Sequence, residues 1–210
     1  MKLSLNLVES NGEIQNAILA ALLPDITSYM NKAFVKIKAE LPIIVENSIR
    51  SSPEYLSLLS GKLRLEFGIP DAISKVLGLI NIWISNIEYN YQPPKIQSLS
   101  IRSKLNIGLV RSDYSDVLGS DFAEVMDQSG YTLPWLKWLL LDGNYLIVPN
   151  HQVIIGPSKS SRTGFAVMRK SNAGWKVPSE FAGTEDDNWI TRSLDSAAPE
   201  IENMLDRALS

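Results

Sequence analysis

From Gly12 to Arg50 apolar residues return every three or four positions, through Ile14, Ile18, Leu22, Ile26, Met30, Phe34, Ile37, Leu41, Val45 and Ile49. That period predicts a helix, with Ser10-Asn11 supplying the N-cap. Pro24 and Pro42 fall inside the run. Each removes an amide donor and crowds the preceding turn, so a kink or break is expected at both. Left unbroken, these 39 residues would reach roughly 58 Å at 1.5 Å per residue. A compact chain of 210 residues does not require an element of that length.

The signals that follow are shorter. Ser52-Pro53-Glu54 combines a cap residue, proline at the first helical position and an acid in the first turn, and Gly61 provides a stop. Asp71 opens an amphipathic stretch through Val76, Ile80, Trp83 and Ile87, which Pro93-Pro94 is expected to close. Beyond it the period changes to two, at Leu99, Ile101, Leu105, Ile107 and Leu109. Tyr145–Val148, Val153–Ile155 and Phe165–Met168 are further strand candidates, and one antiparallel sheet is the economical arrangement. Between them Pro134 to Leu141 predicts a buried helix closed by a glycine cap at Gly143, and Pro199 to Ala208 carries one apolar stripe. The expected class is α+β: an antiparallel sheet packed with long helices, mainly helical over residues 1–92 and β-rich over 95–210, in one compact domain. Met1 to Leu7 alternates apolar and polar residues, which suggests a short strand and lacks the continuous apolar core of a signal peptide.

Composition narrows the function classes. A hydrophobic content of 45% is enough to bury a core without staples, and the absence of cysteine rules out disulfides and thiolate metal sites. A protein made in a reducing cytoplasm is expected. The net charge of −3 lacks the basic excess of a dedicated nucleic-acid binder, and no apolar run approaches the ~20 residues of a membrane span. His151 is the single histidine, so a serine or cysteine triad would have to use it; its place beside Pro149 suggests an ordinary strand end. Gly156 to Gly164 lacks the Gly-Lys-Ser/Thr ending of a phosphate loop and precedes a strand, so it is expected to be a solvated hairpin loop, with Lys159 and Arg162 able to meet a partner's acids or DNA phosphate. Glu185-Asp186-Asp187, like Asp113 and Asp116, lacks the spacing of a calcium loop and is better placed to favour a helix N-terminus ahead of Trp189. No catalytic residue, cofactor site or metal site is assigned.

The segments Ser161–Gly164, Trp175–Pro178, Glu180–Thr184 and Asp187–Arg192 resemble the end of small neck or tail-completion (tail-terminator-like) proteins of tailed bacteriophages, and Ser52–Gly68 and Leu133–Gly143 resemble their helical part. The resemblance implies a non-enzymatic virion subunit assembled in the host cytoplasm. Such a subunit forms a homo-oligomeric ring at the head-to-tail junction or caps the tail tube. Its partners would be its own copies, neighbouring neck, tube or sheath proteins, and DNA passing through the channel. Arginine and tryptophan are enriched at interface anchors, so Lys159, Arg162, Trp175, Trp189 and Arg192 are the expected contact residues, with packing inside the chain an equal alternative for Trp175 and Trp189. A metal-dependent hydrolase or nuclease built on Asp186 and Asp187 with Mg²⁺ is one rival. A monomeric cytoplasmic adaptor whose C-terminal helix fills a partner's groove is the other.

Overall fold

A computed structural model describes residues 9–110, 113–127 and 129–210; the strand expected at Met1 to Leu7 lies outside them. The class is α+β as expected, with one long N-terminal helix and small antiparallel ribbons. The chain forms two compact units, Met1–Leu41 with Glu88–Gly108 and Glu202–Ser210, and Pro42–Ile87 with Leu109–Ile201. This is not the division at residues 92 and 95 that the proline pair suggested.

Helix α1 (Asn11–Ser51) is continuous, so neither proline breaks it. Each proline frees one carbonyl four residues back, at Ala20 and Lys38, and both residues are exposed, so water can take the bond. The helix opens on a reciprocal capping box. Ser10 Oγ accepts from the Glu13 amide at 3.3 Å, and the Glu13 carboxylate accepts from the Ser10 amide at 2.7 Å. The Ser10 amide and hydroxyl, both donating to the carboxylate, hold Glu13 below the ordinary glutamate range.

In the first unit, Ala33, Ile37 and Leu41 form the buried line of α1, and Phe34 stacks on Tyr91 at 4.6 Å between ring centroids. Tyr91 belongs to β1 (Glu88–Gln97), which pairs antiparallel with β2 (Ser100–Gly108). The sequence expectation is corrected here. Pro93-Pro94 does not end a helix but sits inside β1, where the register shifts between Gln92 and Lys95. A bulge leaves residues outside the ladder, so a missing N–H costs little there. Ser98 and Leu99 turn the hairpin with positive φ at both residues, the geometry whose twist matches the strands. Met204, near the end of the last helix, is 1% exposed, so the C-terminal stripe is covered within the chain.

The second unit carries α2 (Pro53–Ser60), α3 (Lys62–Phe67) and α4 (Ala72–Ser85), then α5 (Ser115–Leu118) and α6 (Trp135–Leu140). Two ribbons, β3 (Val125–Met126) with β4 (Thr132–Leu133) and β5 (His151–Ile155) with β6 (Ala166–Lys170), complete it with the first part of α7 (Trp189–Ala208). Ser52 caps α2 as predicted, its hydroxyl accepting from the Tyr55 amide. Leu58, Leu63, Trp135, Leu139 and Val177 are fully buried.

Four further expectations are corrected. The strands form separate two-stranded ribbons among the described residues and not one sheet. Tyr145 to Val148 is not a strand, although Val148 bridges Trp175. Helix α6 ends at Leu140 with Leu141 as its C-cap; Gly143 is used instead for close approach, its amide donating to the Gly183 carbonyl at 3.2 Å where a Cβ on either glycine would strike backbone. Helix α7 begins at Trp189, behind the acidic run expected to favour a helix N-terminus there, but it runs on through Pro199, so the stripe from Pro199 to Ala208 is its second half and not a separate element; the carbonyl that Pro199 frees belongs to Asp195, which is exposed.

Candidate functional site

A concavity of the second unit, about 380 Å³, is lined by the end of α3, the β5–β6 turn, Trp138 and Trp175. Its floor is aromatic. Phe67 meets Trp135 and Trp175, each at 5.9 Å between ring centroids, and Trp138 meets Trp175 edge-on at 5.8 Å. Trp175 is fixed at both ends: its backbone pairs with Val148, and its indole N–H donates to Glu66 Oε2 at 2.6 Å. Burial raises the Glu66 carboxyl above the ordinary glutamate value, against the Trp175 hydrogen bond and the nearby Lys62 charge, which both favour the ionised form.

Arg162 closes the end of α3. Its Nε donates to the Gly68 carbonyl at 2.9 Å and its Nη2 to the Phe67 carbonyl at 3.0 Å, the acceptors that a helix C-terminus leaves unmet. Gly68 takes the left-handed cap conformation, φ 63°, and a Cβ there would meet the guanidinium at 2.5 Å. Glycine is therefore required twice over, for the backbone and for the arginine. Burial pulls the Arg162 guanidinium below its usual value, while the charge of Asp127 works in the opposite direction.

Four of the five expected contact residues make bonds inside the chain. Trp175 is 5% exposed and Trp189 2%, and the indole of Trp189 donates to the capping Ser52 hydroxyl at 2.8 Å. Arg192 pairs with Glu54 at 2.8 Å and with Asp187 at 2.8 Å. Only Lys159, in the β5–β6 turn, is exposed as an interface residue should be. His151 opens β5, its Nδ1 2.9 Å from the Pro149 carbonyl oxygen, and Gly156 to Gly164 is a hairpin loop. Asp187 is engaged by Arg192, and among the described residues no three potential ligands converge to hold a metal ion.

The cleft holds two partly buried carboxyls, Glu66 and Asp127, aromatic walls and an arginine already committed to two carbonyls. That set can clasp backbone and bury apolar surface. Comparison with protein-family models, curated proteins and solved structures finds no match. The cleft must be read from its own geometry.

Glu66, Glu54 and Asn188 are the residues that sequence reasoning passed over. Asn188 is fully buried; its Oδ1 accepts from the Ile190 and Thr191 amides, capping α7, and its Nδ2 donates to Tyr114 and Thr184. The local signal is an Asn between the acidic run Glu185-Asp186-Asp187 and an apolar helical run, at the place where the acids already point to a helix N-terminus.

The Glu66 environment predicts a pH dependence. A carboxyl whose folded value is raised binds protons more readily in the folded state, so its ionisation subtracts stability as pH rises through that value. Below about 4.3, the ordinary glutamate value, folded and unfolded chains are both protonated and the penalty is absent. Glu66→Gln keeps an oxygen acceptor for Trp175 without the charge. Its melting temperature is expected to lie above that of the parent at pH 7, with the gap closing as pH falls towards 4. A gap that stays constant with pH would remove Glu66 ionisation as the cause.

Proposed function

We propose that this chain is a non-enzymatic structural subunit of a tailed-bacteriophage virion, of the neck or tail-completion type, that assembles with copies of itself and with neighbouring virion proteins. One observation carries the reading: the segments that resemble that family, scattered between Ser52 and Arg192, all fall in the second unit and lock to one another there. Arg162 caps the helix that ends at Phe67, Gly143 bonds Gly183, Trp189 bonds Ser52 and Arg192 pairs with Glu54. These contacts make the scattered parts one folding module, as the resemblance requires of them. The first unit, outside the resemblance, leaves Ile18, Leu22 and Val35 of α1 exposed, surface suited to subunit contacts.

The test is inactivation of the gene in the phage or prophage that encodes it. Particles are then examined by electron microscopy, and parental virions by mass spectrometry. The expected result is unjoined heads and tails or tails of aberrant length, with the protein present in parental virions at a fixed copy number. Complete, infectious particles formed without the chain would overturn the proposal.

A further inference from the structure

The exposed side of α1 carries a second periodic pattern, distinct from the line that buries Ala33, Ile37 and Leu41. Ile18, Leu22, Asp25, Tyr29, Lys32 and Lys36 are all exposed and are spaced alternately by four and three residues, the seam spacing of a two-helix coiled coil. Ala39 continues it. At 42% to 55% exposure Ile18, Leu22 and Tyr29 present apolar surface that the chain itself does not cover. Among the described residues Asp25, Lys32 and Lys36 make no ion pair.

We infer that this seam pairs with the same seam of a second copy, running antiparallel, with Asp25 of one helix opposite Lys36 of the other. The charges select this arrangement. In a parallel pair Asp25 would face Asp25, Lys32 would face Lys32 and Lys36 would face Lys36, three layers of like charge. In the antiparallel register centred between Met30 and Asn31, Leu22 faces Ala39, Asp25 faces Lys36 and Tyr29 faces Lys32. The two-fold axis repeats each layer. Every carboxylate then meets an ammonium, and the remaining lysine lies against a tyrosine ring or hydroxyl. Sliding one helix by a heptad, which centres the pair on Thr27, sets Lys32 against Leu22 and Lys36 against Ile18, burying charge on apolar side chains. The contact is isologous and closes on itself, unlike the heterologous contact that closes a ring. It is therefore a property of the unassembled protein and does not rest on the virion reading.

The experiment is sedimentation of the purified full chain over a concentration series, with charge variants at positions that are exposed and outside the core. The parent is expected to dimerise. Asp25→Lys alone and Lys36→Asp alone should each weaken dimerisation at least tenfold, because symmetry turns one substitution into two repulsive layers. The double exchange Asp25→Lys with Lys36→Asp should restore it. The chain has no native cysteine, so disulfides report the direction directly. A mixture of Asp25→Cys and Lys36→Cys chains should give the mixed disulfide, and either alone should not cross-link. A parent that stays monomeric, a double exchange that fails to rescue, or efficient cross-linking of Asp25→Cys with itself would overturn the inference.

Discussion

Trp175→Ala is expected to lower the melting temperature of the isolated protein by on the order of 10 °C, with loss of cooperativity before any effect on assembly is reached. The side chain is 5% exposed and sits between Phe67 and Trp138, so truncation removes the transfer energy of an indole and opens a cavity that a rigid aromatic wall cannot fill. Core Trp→Ala changes cost about 3–5 kcal/mol, and in a chain of this size each 1 kcal/mol moves the midpoint by about 2–4 °C. A second loss adds to the first, because Glu66 keeps its half-buried position without the indole donor. Trp175→Phe restores ring packing but not the hydrogen bond, and should recover most of the loss. Thermal denaturation followed by circular dichroism measures all three proteins. If Trp175→Ala melts with the parent while failing to assemble, the tryptophan belongs to an interface after all.

That prediction reverses the role the sequence suggests for Trp175, and the reason is general. Interface anchors and core anchors are the same residue types, so enrichment of Trp and Arg cannot separate them; what separates them is whether the chain supplies the partner. Here the partners are remote in sequence, Glu66 for Trp175, Ser52 for Trp189 and Glu54 for Arg192, and nothing in a linear reading brings them together. Local chemistry was legible. The long helix, the Ser52-Pro53-Glu54 start, the β5–β6 hairpin and its solvated loop follow from period and turn residues alone. The proline readings failed in one direction. Pro24, Pro42 and the Pro93-Pro94 pair each signal an interruption, yet α1 and β1 continue through them, because the cost of a proline depends on whether the freed carbonyl or the missing N–H faces water or a bulge. Exposure is a tertiary property, and the sequence does not state it at single positions. In the cleft, Arg162 and Trp175 were named from the sequence, but Glu66, the one group there with a raised pKa, looks like any surface glutamate of a short helix.

Arg192→Ala is expected to cost about 3–5 kcal/mol, the scale of breaking a buried ion pair by removing one partner. Glu54 is 4% exposed, and the Arg192 guanidinium approaches its Oε1 through both Nε, at 2.9 Å, and Nη2, at 2.8 Å. The same guanidinium reaches the Phe181 carbonyl at 3.3 Å and Asp187 at 2.8 Å, so one side chain joins α2, the loop before α7 and α7 itself. Removing it leaves a carboxylate in the first turn of α2 with neither a counter-ion nor enough water to replace one. The pair with Asp187 is a different case, because that carboxylate is well exposed, and Asp187→Asn should cost no more than about 1 kcal/mol. Glu54→Gln placed on Arg192→Ala removes the stranded charge, so the double variant should be more stable than Arg192→Ala alone, a non-additivity that a double-mutant cycle in chemical denaturation measures. If Arg192→Ala instead costs less than about 1 kcal/mol and Glu54→Gln gives no rescue, the pair does not hold these segments together. Arg192 then returns to the role its residue type first suggested, a contact made to another protein.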